Sequence, residues 1–97
     1  MAEQSQPNQV QVKINDDMLK AVYANGVNVS YTPEEFVLDF MTVFPPAGIV
    51  SSRVVMSPGH MKRLASVLND NIKRFEEQHG EIKANVQNEH KFGFRTE

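Results

Sequence analysis

Alternating apolar and polar residues mark the first part of the chain. In residues 9–14 every second residue is apolar, and this period of two predicts a first strand with one buried face. Residues 15–17, Asn-Asp-Asp, predict a reversal, because such short side chains bond to their own backbone in turns. Residues 18–31 then predict a second strand that ends before Thr32-Pro33 and carries one apolar face, formed by Tyr23, Val27, Val29 and Tyr31.

The pair Asn25-Gly26 allows two interpretations of this second strand. It is the strongest short signal for a hairpin, which would leave two arms of about five residues. As a bulge, it would instead add twist to one long strand, with Asn or Gly at positive φ. The bulge is favoured because an unbroken strand keeps the four apolar residues on one face.

Two more strands and a helix follow. Residues 34–44 predict a third strand that buries Phe36, Leu38 and Phe40, and residues 49–56 predict a fourth after a break at Pro45-Pro46-Ala47-Gly48. Ser57-Pro58 is typical of a helix start and Gly80 of a helix stop. Between them apolar residues recur at spacings of three and four, which predicts an amphipathic helix with the stripe Met61, Leu64, Ala65, Leu68, Ile72 and Phe75.

These elements predict an α+β fold, an antiparallel four-stranded meander followed by one long amphipathic helix. We expect Phe36, Leu38 and Phe40 to pack against the helix stripe, so that Leu68→Ala would lower stability by ~2–5 kcal/mol. A disordered N-terminus at 1–8, a single domain at 9–80 and a flexible tail at 81–97 complete the organisation.

Composition narrows the possible functions. A chain of 97 residues has room for one core, and its formal net charge of -2 does not suit a protein that binds phosphate backbones over its whole surface. The absence of cysteine excludes disulfides and thiolate chemistry and is compatible with a reducing cytoplasm. Residues 1–8 lack the features of a signal peptide, and no segment is long and apolar enough to span a bilayer, so a cytoplasmic protein is expected.

The residues that could carry chemistry are scattered. His60, His79 and His90 stand too far apart for a metal site, and no glycine-rich phosphate loop occurs. Asp39 is expected either to take a polar outward position or to pair across strands with a residue such as Arg53, rather than to act as an acid. The sequence therefore predicts no catalytic, cofactor or metal residues, and no enzyme.

Three segments together resemble a known family. Val22-Tyr23-Ala24-Asn25, the block from Glu35 to Phe40, and Ser57-Pro58-Gly59-His60 are similar to those of a family of short bacterial and archaeal proteins of unknown function. The family's signature is a Tyr-Ala-Asn strand, a Glu-Phe-x-Leu-Asp-Phe strand and a Ser-Pro-led helix. The resemblance implies a prokaryotic, cytoplasmic protein and assigns no functional residue. The order of strands before a long helix is also similar to the export chaperone SecB, at the level of fold alone.

One helix about 10 Å wide cannot cover four strands, so apolar sheet surface is left over and a homodimer or higher oligomer is expected. The sequence thus predicts a non-enzymatic homo-oligomeric interaction or scaffold protein. One alternative is a nucleic-acid-associated regulator that uses the basic helix residues Lys62, Arg63, Lys73 and Arg74, and another is a SecB-like peptide-binding module. In the tail, a docking segment for another protein is predicted at Lys91, Phe92, Phe94 and Arg95.

Overall fold

A computed structural model of the chain describes residues 9–84 and 93–94. The described chain contains a short 3-10 helix, Asp16–Lys20, then three strands and one α-helix. The strands are β1 (Gly26–Tyr31), β2 (Phe36–Phe44) and β3 (Ala47–Met56), and the helix is α1 (Pro58–His79). The fold is therefore α+β with one long helix, as predicted.

The three strands form an antiparallel meander with β2 in the centre. Leu38 on β2 lies opposite Val29 on β1 and Val54 on β3. Near the middle of β3 the register shifts, because Phe40 pairs with Ser52 whereas Met41 pairs with Val50, which leaves Ser51 as the extra residue of a bulge. Val50 and Val54 consequently lie on opposite faces of the sheet, although the sequence placed them on one parity.

The β2–β3 connection is tighter than the sequence predicted. Pro45 and Pro46, joined by a cis peptide bond, form a two-residue turn. Ala47 already belongs to β3, where it pairs with Phe44. The break predicted over four residues is therefore only two residues long, since Ala47 and Gly48 can take up the strand ladder that the prolines cannot.

The first predicted strand, at residues 9–14, is not formed, so the sheet has three strands rather than the four predicted. Residues 9–15 form no strand in the structure, and Val10, Val12 and Ile14 are well exposed. The following turn continues into the 3-10 helix, which ends at Ala21 with a φ of 60°. Residues 21–25 form no strand, so the long second strand predicted for 18–31 is shortened to Gly26–Tyr31, and Asn25-Gly26 is neither a hairpin turn nor a bulge within it.

The helix follows the local signals in the sequence. Ser57 caps its start, where the Ser57 hydroxyl accepts a hydrogen bond of 3.2 Å from the His60 N–H, and Pro58 occupies the first turn. Gly80 ends it with a φ of 92°, a backbone conformation that side chains rarely adopt. Both predicted helix ends are confirmed.

The expected packing of the helix stripe against the sheet is not found. Met61 and Leu64 in the first two turns are partly buried, but Leu68, Ile72 and Phe75 keep 52%, 46% and 49% of their surface exposed. Of the described residues, only Leu38, Asp39 and Met41, all on β2, are fully buried. The core of a single chain is thus confined to the central strand, and most of the helix stripe has no cover.

Candidate interaction surfaces

One face of the sheet is almost entirely apolar. Residues directly opposite one another in an antiparallel ladder share a face of the sheet. On this face each of the three strands contributes three residues, which gives nine positions. Eight of these nine positions are apolar and Ser52 is the ninth. We refer to the eight as the apolar sheet face: Val27, Val29, Tyr31, Phe36, Leu38, Phe40, Val54 and Met56.

This face is only partly covered in the single chain. Leu38 at its centre is 5% exposed, whereas Val27, Val29, Tyr31 and Val54 around it are exposed. The rings of Tyr31 and Phe36 contact each other with centroids 5.2 Å apart. An apolar surface that is ordered, contiguous and exposed is typical of an interaction site rather than of a solvated sheet.

The opposite face has an ion pair at its centre. Asp39 lies directly across from Arg53, whose Nε and Nη2 donate to the two carboxylate oxygens at 2.6 and 3.1 Å. This two-point geometry is the strong form of a charge-assisted hydrogen bond. Asp39 is 2% exposed and Arg53 is 61% exposed, so the pair is a buried carboxylate held by an arginine that reaches to solvent. Of the two alternatives predicted for Asp39, the cross-strand pairing is confirmed and the outward position is wrong.

The Asp39–Arg53 pair should make stability depend on acid. Hydrogen bonding to Arg53 holds the pKa of the Asp39 carboxyl below its usual range, and burial opposes this more weakly. Because the folded-state pKa is lowered, the stabilisation is present above about pH 4 and is lost as the pH falls through the folded-state pKa. We expect Asp39→Asn to flatten the decline in urea midpoint between about pH 5 and pH 3.

The control is Asp70→Asn, which changes an exposed aspartate on the helix. It should leave the decline in urea midpoint with falling pH unchanged. At neutral pH the two partners should also differ. Arg53→Met leaves a buried carboxylate unpaired, whereas Asp39→Asn leaves an arginine that water can solvate, so the arginine variant should lose more stability. If both variants keep the urea midpoint of the wild type at neutral pH, and Asp39→Asn shows the same decline in acid as the wild type, the pair does not stabilise the fold.

Asn25 secures the entry into β1 by hydrogen bonds to the end of β2. Its side-chain Nδ2 donates to the Val43 carbonyl at 3.1 Å, and its Oδ1 accepts from the Val43 N–H at 2.7 Å. Its backbone N–H donates to the Met41 carbonyl at 3.0 Å. The side-chain amide thus takes the place of a strand residue beside Val43. Sequence reasoning missed this role because Asn-Gly was considered only as a turn or a bulge, although asparagine also bonds readily to nearby backbone.

Asn25→Ala should lower the free energy of unfolding by about 1–3 kcal/mol, since two side-chain hydrogen bonds are lost and each contributes about 0.5–1.5 kcal/mol. Urea denaturation followed by circular dichroism measures the loss. Asn25→Asp keeps the acceptor for the Val43 N–H but not the donor, so it should fall between Asn25→Ala and the wild type. An unchanged midpoint in Asn25→Ala would show that these bonds do not hold the strand end.

The other predicted site residues are not brought together. Lys62, Arg63, Lys73 and Arg74 are all exposed on α1. Of the docking segment, Lys91, Phe92 and Arg95 lie outside the described residues, and Phe94 is exposed. His60 lies in the first turn of α1, and the ring of His79 contacts that of Phe75 at a tilt, with ring centroids 4.8 Å apart.

Residues 9–84 contain neither a group of side chains suited to a metal ion nor a membrane-spanning helix. In that part of the chain no three side chains are grouped as a metal site would require, and every buried side-chain polar atom has a partner. Nor does any helix there have the length and apolar character needed to cross a membrane. The surfaces best organised for recognition are the apolar sheet face and the helix stripe.

Comparison with known proteins places the chain in a family. Residues 1–84 match the family described as "Protein of unknown function (DUF3467)". The match includes all strands and the helix of the structure. Neither the curated proteins nor the solved structures give a match.

Proposed function

We propose that this chain, which belongs to the DUF3467 family of proteins of unknown function, is a non-enzymatic interaction protein that works as a homo-oligomer. The observation that carries the proposal is the exposure of half of the apolar sheet face and of most of the helix stripe in one folded chain. The occupant we propose for both surfaces is a second copy. The setting we propose, from the family resemblance and the absence of cysteine, is a prokaryotic cytoplasm.

The size of the two surfaces supports this occupant. At usual strand spacing and rise, the apolar sheet face has a footprint of roughly 300 Å². One face of the 22-residue helix adds roughly 300 Å² more. Stable complexes bury about 800 Å² of accessible surface on each partner, and accessible area exceeds a flat footprint. Both surfaces together therefore approach the area that a stable dimer buries, whereas the sheet face alone falls well short of it.

The interior of the single chain supports it as well. Leu38, Asp39 and Met41 are a small core for a domain of this length, and small domains are stable only when enough apolar surface is buried. A second copy that packs on the apolar sheet face and on the helix stripe would add to that core. Association would then supply part of the folding free energy, as in obligate oligomers.

Sedimentation velocity over a range of micromolar concentrations tests the proposal. We expect a species larger than the 11.0 kDa chain, with thermal unfolding that shifts to higher temperature as concentration rises. A strictly monomeric chain at high micromolar concentration would overturn it. A monomer that suppresses aggregation of an unfolded protein would instead favour the peptide-binding alternative. A monomer that binds duplex DNA, with affinity falling steeply as salt rises, would favour the regulator.

A further inference from the structure

We infer that two copies pair through their α1 helices, side by side and antiparallel, with Lys62 of each copy beside Glu76 of the other. This inference rests on the proposed function and specifies one contact within the oligomer. It begins from the spacing of the side chains along one side of α1. Met61, Ala65, Leu68, Ile72, Phe75 and His79 follow one another at alternating steps of four and three, and we call this row the heptad seam.

An alternation of four and three is the spacing by which two helices pair in a coiled coil, and the same spacing occurs on helices that pack within their own chain, so the exposure of the row distinguishes the two cases. The average spacing of 3.5 residues keeps a row of side chains facing one partner helix that crosses at about 20°. The seam continues for five turns, about 27 Å at the usual helical rise. Its second half is the part of the helix left uncovered, because Leu68, Ile72 and Phe75 are each about half exposed.

Side-chain volume favours the antiparallel arrangement. In an antiparallel pair centred near residue 70, Leu68 faces the second copy's Ile72, and Ala65 faces its Phe75. The smallest seam residue then receives the largest, which fills the space between the helices evenly. A parallel pair would place Phe75 against Phe75 and Ala65 against Ala65, leaving a crowded layer and an empty one.

Charge favours the same arrangement independently. The residues that flank the seam on one side are Lys62, Asn69 and Glu76. In the antiparallel pair, these flanks meet so that Lys62 lies beside the second copy's Glu76, twice by symmetry, and Asn69 lies beside Asn69. In a parallel pair, the flanking contacts are Leu64 with Asn69 and Asn71 with Glu76, which include no opposite charges.

Lys62 and Glu76 cannot form this ion pair within one helix. They are fourteen residues apart, about 21 Å along the axis. In the single chain the Glu76 Oε2 accepts a hydrogen bond of 2.9 Å from the Ile82 N–H, which fixes the side chain without neutralising its charge. Lys62 is exposed at the other end of the seam. Each helix therefore presents a positive and a negative end to its partner.

Charge reversal tests the pairing. Lys62→Glu alone, or Glu76→Lys alone, turns both attractive contacts of the dimer into repulsive ones and should weaken self-association about tenfold at low salt. A mixture of the two variants restores attraction in both contacts. Native mass spectrometry, with one variant isotopically labelled, should therefore show mixed dimers well above the statistical half.

The matched control pair is Arg63→Glu and Glu77→Lys, which are equally far apart and lie on the side of the helix away from the seam. These variants should associate as the wild type does and mix statistically. Statistical mixing of the Lys62 and Glu76 variants, with assembly intact, would overturn the helix pairing and leave the proposed function standing. Failure of the wild type to assemble would instead remove the proposed function itself.

Cross-linking distinguishes the direction of the helices, and the absence of native cysteine makes it specific. Asn69→Cys should be joined to its counterpart by a short bis-maleimide, whereas the neighbouring Asp70→Cys, which lies on the outer side, should not. A parallel pair would instead bring residue 65 of both copies together. Efficient linking of Ala65→Cys without linking of Asn69→Cys would overturn the antiparallel direction.

Discussion

Leu38→Ala should lower the free energy of unfolding by about 2–5 kcal/mol, a large share of the 5–15 kcal/mol typical of a whole domain. Leu38 is the centre of the sheet, opposite Val29 and Val54, and it is 5% exposed. Truncation there removes buried apolar atoms and leaves a cavity that neighbouring strands cannot close. Urea denaturation followed by circular dichroism should show the midpoint falling by roughly 1–3 M.

Leu68→Ala is the control, since it deletes the same atoms from a side chain that is 52% exposed in the single chain. The sequence alone predicted the large loss at Leu68, because the helix stripe was expected to cover the sheet. In the structure the larger loss belongs to Leu38, and Leu68→Ala should act mainly on association. Equal losses in dilute, monomeric samples would show that the stripe packs within its own chain after all.

The helix could be predicted from the sequence because its signals are local. Ser57 and Pro58 at its start, the apolar period along it and Gly80 at its end each act within a few residues of chain. A helix also satisfies its own backbone hydrogen bonds, so no distant segment is needed to form it. What it packs against depends on the rest of the molecule, and that part of the prediction was wrong.

Strands depend on partners, and the first predicted strand shows the consequence. Apolar and polar residues alternate along residues 9–14 as they would in a half-buried strand. A strand also needs a neighbouring strand for its backbone hydrogen bonds, which the alternation does not provide, and Val10 and Val12 stay exposed in the single chain. The bulge at Ser51 is a similar case, because one extra residue moves Val50 to the other face without any change in composition. The pairing of Asp39 with Arg53 could be predicted as one of two alternatives, because opposite charges on adjacent strands provide a direct cue.

The sequence could predict that apolar surface would be left exposed, but it could not predict which residues form that surface. The sequence indicated that one helix could not cover the sheet, and from that it predicted an oligomer. The register was needed to gather the residues of three strands into one face. Exposure of Leu68, Ile72 and Phe75 was needed to show that the helix stripe is also available, because the period of a stripe is the same whether it is covered by its own chain or by another.

Ile72→Asp should weaken self-association at least a hundredfold while leaving the folded chain intact. Ile72 lies near the middle of the heptad seam and is 46% exposed, so a single chain can keep an aspartate there in contact with water. Assembly would bury that carboxylate beside the second copy's Leu68 with no cation to pair it. An unpaired buried charge is unfavourable by several kcal/mol, and every 1.4 kcal/mol changes an equilibrium constant tenfold.

Ser66→Asp adds the same charge to an exposed position away from the seam and should assemble as the wild type does. Sedimentation velocity measures both variants, and circular dichroism confirms that the helix is retained. Val29→Asp places the same charge on the apolar sheet face and separates the two surfaces. If Val29→Asp dissociates the oligomer and Ile72→Asp does not, the sheet face alone forms the contact, and the helix pairing is wrong. Dissociation by both variants is expected, because either surface alone buries less than a stable interface requires.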